Sequence, residues 1–295
     1  MRIRRIDLTH EAYTYLRIFG SENNPTAPVL LVVPGYGTPV AALDKFAFSV
    51  LEQGIQVVTF DLRGQGASRP RPNPLLNWGW KRHIQDDFPQ IVAEVHELFP
   101  GAPVYLFAHS LGAHLASLYV SQHPGEVEGL IMLTTGIAHR RNYANRVHAE
   151  IVSLGIFWMN VGAQIFRIYP GVFARFDGGY GRQPRGMLWD SGRVILTGKF
   201  QPSRIEYDAE EALGEITIPV LGVTVEADYI VPPKVMQEFL RLFKGAEPEQ
   251  QHIKKRLGHA GWIGRPQALI ELVVPWVKAK EAAKLGSKDA AATAP

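Results

Sequence analysis

The sequence predicts an α/β fold. The expected architecture is a mostly parallel, doubly wound sheet with an N-terminal antiparallel hairpin and an inserted helical cap. Three observations predict it. Short apolar runs rich in β-branched residues alternate with amphipathic stretches, and this alternation breaks once, between about 136 and 205. The chain has 295 residues, 46% of them hydrophobic, enough to bury one large core. Roughly 250 residues suit a single α/β domain, so one domain with one insertion is the economical plan.

Taken in order, Arg2–Thr9 and Ala12–Ile18 alternate apolar and polar residues and predict an antiparallel edge hairpin. Val29–Val33, Val57–Phe60, Val104–Phe107, Leu130–Leu133 and Val220–Val225 are uninterrupted apolar runs. Such runs suit parallel strands covered on both faces. Helical spacing occupies 39–53, 84–99, 111–123, 233–244 and 266–280. Alternating strands and helices predict helices on both sides of the sheet. In the interruption, Phe157, Trp158, Phe166, Tyr169, Phe173, Phe176, Tyr180 and Trp189 mix with many arginines, and a glycine-rich DGGYGRQPRG covers 177–186. The expected plan is a core of 1–135 and 206–280, a helical cap of 136–205 and a disordered Ala- and Lys-rich tail of 281–295.

Composition excludes several functions. The formal net charge is +3, and the stretch from Lys278 holds four lysines against Glu281 and Asp289. Without a basic face, nucleic-acid binding is not expected. The absence of cysteine removes disulfides, thiolate catalysis and thiolate metal sites, and no metal or cofactor is predicted. No apolar segment follows the basic MRIRRIDLTH, so the expected location is cytoplasmic. Ile151–Phe166 is uncharged, but it has 16 residues and contains Ser153, Asn160 and Gln164. A spanning helix needs about 20 apolar residues, so no stable membrane insertion is expected. Oligomeric state is not readable. A small molecule is the expected partner.

The chemistry starts at Val104–Gly112, VYLFAHSLG, where an apolar strand runs straight into a small-residue turn and then a helical pattern. A nucleophile elbow places its serine on such a turn, with small residues two positions before and after it because strand and helix approach closely. Ala108 and Gly112 meet that need around Ser110. A serine capping an ordinary helix would look similar in the motif alone. His109 and His114 read as packing residues. Acyl transfer also needs two N–H donors for the developing oxyanion. The candidates are the backbone N–H of Leu111 and that of Tyr36, in the PGYG turn after Val29–Val33. No phosphate-cradling glycine spacing is present.

A serine nucleophile needs a base and an orienting carboxylate, in the chain order Ser, Asp or Glu, His for this strand–turn–helix arrangement. Asp228 follows the strand run at 220–225, past its carboxyl end, and Glu226 competes with it. Of the two downstream histidines, His252 is placed at the start of a last strand, whereas His259 follows that strand in the loop LGHAGW. His259 is therefore the candidate base and Asp228 the preferred acid.

These residues resemble the α/β-hydrolase superfamily over about 10–280. The resemblance rests on PGYG at 34–37, DLRGQGASRP at 61–70, AHSLG at 108–112, EADYIVP at 226–232 and LGHAGW at 257–262. It is closest to the serine aminopeptidase-like, lysophospholipase-like branch, and within it to a little-characterised bacterial group with a Y-P-G element in the cap, here Tyr169–Gly171. Two positions depart from the common pattern: Ala108 replaces a glycine, and Pro34 stands where many relatives have histidine. The resemblance implies the α/β-hydrolase fold. With the triad Ser110, Asp228 and His259, the expected activity is hydrolysis of a carboxylic ester, apolar in its acyl part, through an acyl-enzyme. The enzymatic alternative is an amidase or aminopeptidase. It would need a cap acid to hold a substrate amine, from Glu150, Asp177 or Asp190. A non-catalytic binding protein on the same fold is the other alternative.

Overall fold

The computed structural model describes residues 1–20, 24–171 and 181–292. Phe173, Phe176, Asp177 and Tyr180, named above, lie outside the described residues. The strands are β1 (Arg2–Leu8), β2 (Ala12–Phe19), β3 (Val29–Val33), β4 (Gln56–Phe60), β5 (Val104–His109), β6 (Gly129–Leu133), β7 (Ile168–Tyr169), β8 (Gln183–Pro184), β9 (Val220–Glu226) and β10 (Glu249–Arg256). Eight of them form one sheet in the order β1-β2-β4-β3-β5-β6-β9-β10. The N-terminal hairpin pairs antiparallel and joins β4 antiparallel; every pairing from β4 to β10 is parallel.

The helices are α1 (Asp44–Glu52), α2 (Trp80–Arg82), α3 (Phe88–Leu98), α4 (Leu111–Gln122), α5 (Arg146–Ile165), α6 (Arg185–Thr197), α7 (Ala209–Gly214), α8 (Pro233–Leu240) and α9 (Gln267–Ala292). They cover both faces of the sheet. Phe46 and Val50 of α1 join Val273 and Val277 of α9 on one side. Val92 and Val95 of α3 join Leu115 and Leu118 of α4 and Val235 and Phe239 of α8 on the other. This double cover is why every residue of β3, β4, β5 and β6 is buried and why their runs carry no polar alternation.

Three boundaries differ from expectation. The helix placed at 84–99 begins at Trp80 and passes through a π turn, His83–Asp87, before α3. Pro89 is the second residue of α3 and has no N–H to give to a carbonyl one turn back, which favours such a local widening. His252 is the fourth residue of β10, not its first. The tail expected to be disordered from 281 is helical to Ala292. Alanine, lysine and glutamate are strong helix formers, and the helix is tied down. The Tyr105 hydroxyl donates to Glu281 at 2.6 Å, Lys280 pairs with Glu249 at 2.8 Å, and Lys284 pairs with Glu128.

Residues 134–219 intervene between β6 and β9 and hold α5, α6, α7 and the short β7–β8 ladder. Asn145 caps α5 by accepting from His148 N at 3.0 Å, and Asp208 caps α7 by accepting from Glu210 N and Glu211 N, each at 3.0 Å. α6 is fastened to the core. Buried Asp190 accepts from Trp80 N and Ser203 N, both at 2.8 Å, and Gly186 N donates to Asn77 Oδ1 at 2.8 Å. Burial raises the Asp190 carboxyl above its ordinary value, opposed by Ser203 and Trp80. Among the described residues, no helix is long and apolar enough to cross a membrane.

Candidate active site

The order β4-β3-β5 reverses direction between β3 and β5, and open α/β sheets bind ligands in the crevice outside such a switch point. The loops after β3 and β5 meet there. Ser110 joins β5 to α4 with φ 52° and ψ −120°, in the left-handed half of backbone space that a serine rarely adopts. Its N–H donates to Leu133 O at 2.9 Å and its carbonyl accepts from Thr135 Oγ1 at 2.9 Å, so β6 and its following turn hold the strained residue. Two glycines let the backbones close up. A Cβ on Gly112 would lie 2.5 Å from the carbonyl oxygens of Val33 and Pro34, and one on Gly35 would lie 2.9 Å from His109 Nδ1 and 3.2 Å from Ser110 Cβ.

His259, in the loop after β10, has Nε2 2.9 Å from Ser110 Oγ and Nδ1 2.9 Å from Asp228 Oδ2. Asp228 is buried and accepts Ile230 N at 2.9 Å and Val231 N at 3.0 Å on its other oxygen. Burial pushes this carboxyl up. The His259 ring, the hydrogen bond to it and the two backbone N–H groups outweigh that and hold the carboxyl below its ordinary value. An ionised carboxylate only accepts, so Nδ1 carries the proton and Nε2 is bare toward the serine hydroxyl. The preceding residue, Ala227, is left-handed at φ 65° and turns the chain out of β9. Glu226 takes another path: its carboxylate lies 3.1 Å from His252 Nε2, and both side chains are solvent-accessible. The structure therefore brings Ser110, Asp228 and His259 together and leaves Glu226 and His252 paired elsewhere.

His109 is buried, with Nε2 3.0 Å from the His259 carbonyl oxygen. A carbonyl can only accept, so this nitrogen is the donor and Nδ1 is bare. Burial first, and then the neighbouring His259, push its pKa down to about 3. His109 is a fixed neutral donor that helps anchor the loop carrying His259. His114 donates to Gly136 O at 3.2 Å, and burial pushes it down to about 4.

Leu111 and Gly112 begin α4, where N–H groups have no acceptor within the helix. The Pro34–Thr38 turn is braced from several sides. Gly37 N donates to Gln65 Oε1 at 2.7 Å, and the Tyr36 hydroxyl donates to Met187 O at 2.8 Å and lies 2.5 Å from Ser191 Oγ. The DLRGQG loop is a support for this turn. Asp61 accepts from Val40 N at 3.0 Å and Ala67 N at 2.8 Å, and Gly66 has no room for a Cβ beside it.

A cavity of about 70 Å³ opens onto Ser110, Leu111 and Tyr36. Its wall is mainly aliphatic, with Val152, Ile156 and Met159 of α5, Leu188 and Ile195 of α6, and Val231. Of the aromatics in the insertion, Phe157, Trp158, Phe166 and Trp189 are exposed, and Tyr169 is packed in the core. Among the described residues, none that lines the cavity is acidic. Among the described residues, no group of three or more His, Asp or Glu side chains is placed to hold a metal. Gln65, Met187 and Ser191 were not legible as site residues, because their partners lie 28, 151 and 155 residues away. Only Gln65 carried a signal, its place inside the DLRGQG run.

A family model described as Hydrolase_4: Serine aminopeptidase, S33, matches residues 24–166. A probable lysophospholipase L2 of Haemophilus influenzae is 28% identical over 107 residues, 35% of this chain and 33% of that protein. A monoglyceride lipase homolog of Monkeypox virus is 25% identical over 122 residues, 41% of this chain and 43% of that protein. The chain thus matches less than half the length of either curated relative. Among solved structures, a haloalkane dehalogenase loop variant from Bradyrhizobium elkanii superposes with a TM-score of 0.69 at 18% identity, covering 97% of this chain and 99% of that one. The eight-stranded sheet, the strand-end crevice and the solved structures agree on an α/β-hydrolase fold, and over residues 24–166 the chain is similar to the serine aminopeptidase, S33, family.

Proposed function

We propose that the protein is a serine hydrolase that cleaves a small carboxylic ester with a short apolar acyl group. The observation that carries this reading is the continuous relay from Asp228 through His259 to Ser110, with both contacts of the imidazole at 2.9 Å. His259 Nε2 takes the Ser110 proton as Oγ bonds to the ester carbonyl carbon. Negative charge collects on the carbonyl oxygen, toward the N–H groups of Leu111 and Tyr36. Asp228 keeps the ring in its tautomer and stabilises the imidazolium. The imidazolium then gives its proton to the departing alkoxide as the C–O bond breaks, leaving an acyl-Ser110 ester. Water repeats the sequence, releasing the acid and restoring the serine.

Two features support the substrate class. The aliphatic wall suits hydrocarbon, and a volume of about 70 Å³ is small beside the roughly 300–1,000 Å³ of pockets for larger ligands. Among the described residues no acid lines the cavity, which disfavours an aminopeptidase, since that enzyme must pair the substrate ammonium. Of the acids named for that role, Glu150 is exposed beside Arg140 and Asp190 is committed to Trp80 and Ser203. The inserted segment 136–205 acts as the cap that walls the acyl site.

A p-nitrophenyl ester series from acetate to laurate tests the reading. Turnover should peak at two to four carbons, Ser110→Ala should lose several orders of magnitude, and a fluorophosphonate should label Ser110. Labelling elsewhere, or activity retained in Ser110→Ala, overturns the assignment. Absence of both turnover and labelling would make the chain a binding protein on a hydrolase fold.

A further inference from the structure

Tyr36 carries a candidate oxyanion donor on its backbone and an anchor on its side chain, and the anchor reaches the inserted segment. We propose that Tyr36 is a positioning residue through which docked α6 sets the geometry of the oxyanion hole; the proposal rests on the serine-hydrolase reading above.

Three consecutive residues of this turn are each held by a different part of the molecule. Gly35 packs on the nucleophile strand, where there is no room for a Cβ against His109 and Ser110. Tyr36 is tied by its hydroxyl to the Met187 carbonyl and to Ser191, both on α6. Gly37 N is held by Gln65, whose amide nitrogen lies 3.4 Å from Gln183 Oε1 in β8. Two of these three attachments therefore lead into the insertion. α6 is not free to drift, because Asp190 and Gly186 fix it to residues 77–80 and Ser203. The path from Trp80 and Ser203, through Asp190 of α6, to the Tyr36 hydroxyl is made of hydrogen bonds between buried or half-buried groups.

The chemistry makes this attachment consequential. An oxyanion donor contributes through preorganisation, and small displacements of a positioned group carry large rate penalties. The turn contains two glycines around Tyr36, and Gly37 is left-handed at φ 63°, so its backbone has little stiffness of its own. The side-chain tether supplies what the glycines remove. Substrate binding in the aliphatic cavity does not use the Tyr36 hydroxyl, because that group is engaged with α6. Loss of the tether should therefore act on the transition state and spare the ground state.

Tyr36→Phe keeps the ring and the backbone N–H and deletes only the tether. On a short ester, kcat should fall about tenfold with KM within about twofold. An alkylboronic acid, whose boron takes up Ser110 Oγ as a tetrahedral adduct, should bind more weakly by the same factor. Rates are normalised to sites titrated to completion with fluorophosphonate, so a misfolded fraction cannot imitate the effect. Gln65→Leu, which frees Gly37 N, should show the same split between kcat and KM. Unchanged kcat and boronate affinity per titrated site in Tyr36→Phe would overturn the proposal alone, as would a loss confined to KM. Failure of the unaltered protein to label at Ser110 would bring down the hydrolase reading, and this proposal with it.

Discussion

The strand-end crevice and the inserted segment solve opposite problems. In the crevice, Ser110, Asp228 and His259 are fixed by backbone: a left-handed serine, a left-handed Ala227 and N–H groups that clasp the carboxylate. Nothing there tolerates an added methyl group at Gly35 or Gly112. In the insertion, α5 and α6 meet across a cavity, and Phe157, Trp158, Phe166 and Trp189 face outward. The difference teaches that Ser110, Asp228 and His259 are held by the sheet and its loops, whereas the cavity wall is set by helices, one of which, α6, also reaches back to the Tyr36 turn.

The sharpest test of the crevice is the acid. Asp228→Asn should lower kcat by roughly 10³–10⁴-fold, since the amide favours the wrong imidazole tautomer. Glu226→Gln should leave kcat within about twofold, because its partner is His252. Similar losses in both variants would break the assignment, and steady-state rates on one short ester decide it. The insertion should respond more gently. Met159→Ala enlarges the cavity wall and should move the preferred acyl length outward by one or two methylenes. Each added methylene then gains about 0.8 kcal/mol, about fourfold in kcat/KM. An unchanged profile over the ester series would remove α5 from the acyl site.

The smallest expected effect concerns stability, through His114 beneath the cavity. Burial lowers its pKa from 6.5 to about 4, so the unfolded chain takes up its proton first as the pH falls. Its contribution is therefore neutral above 6.5 and increasingly destabilising from 6.5 down to 4, by up to about 1.4 kcal/mol per pH unit. His114→Gln should flatten the urea midpoint against pH over that window. An identical slope in the variant would show that His114 is hydrated or charged in the folded protein.

Legibility followed the range of the interactions. The elbow could be read because its needs are local: strand, small residues and helix all fall within Val104–Gln122. The order of strands and helices was readable for the same reason, since two-sided burial leaves continuous apolar runs. Asp228 was preferred over Glu226 from its place past the strand end, whereas the turn at Ala227 and the pairing of Glu226 with His252, which separate them in space, are not patterns in the chain. The aromatics of the insertion could not be placed from the chain, because an indole or phenyl ring has the same composition signal whether it lines a cavity or faces out, as Trp158 and Trp189 do. The C-terminal segment misled. Its Ala and Lys content reads as a solvated tail until Tyr105 and Glu128 are seen to hold it.

The distance along the chain between nucleophile and base carries a consequence for synthesis. Ser110 and His259 are 149 residues apart, and the base enters on the loop behind β10, the last strand and an edge of the sheet. Contacts of such long sequence separation close late. A growing or partly folded chain can hold a finished elbow around Ser110 while lacking any group to deprotonate it. On the serine-hydrolase reading, the protein should therefore stay chemically silent until β10 is seated and His259 reaches Ser110.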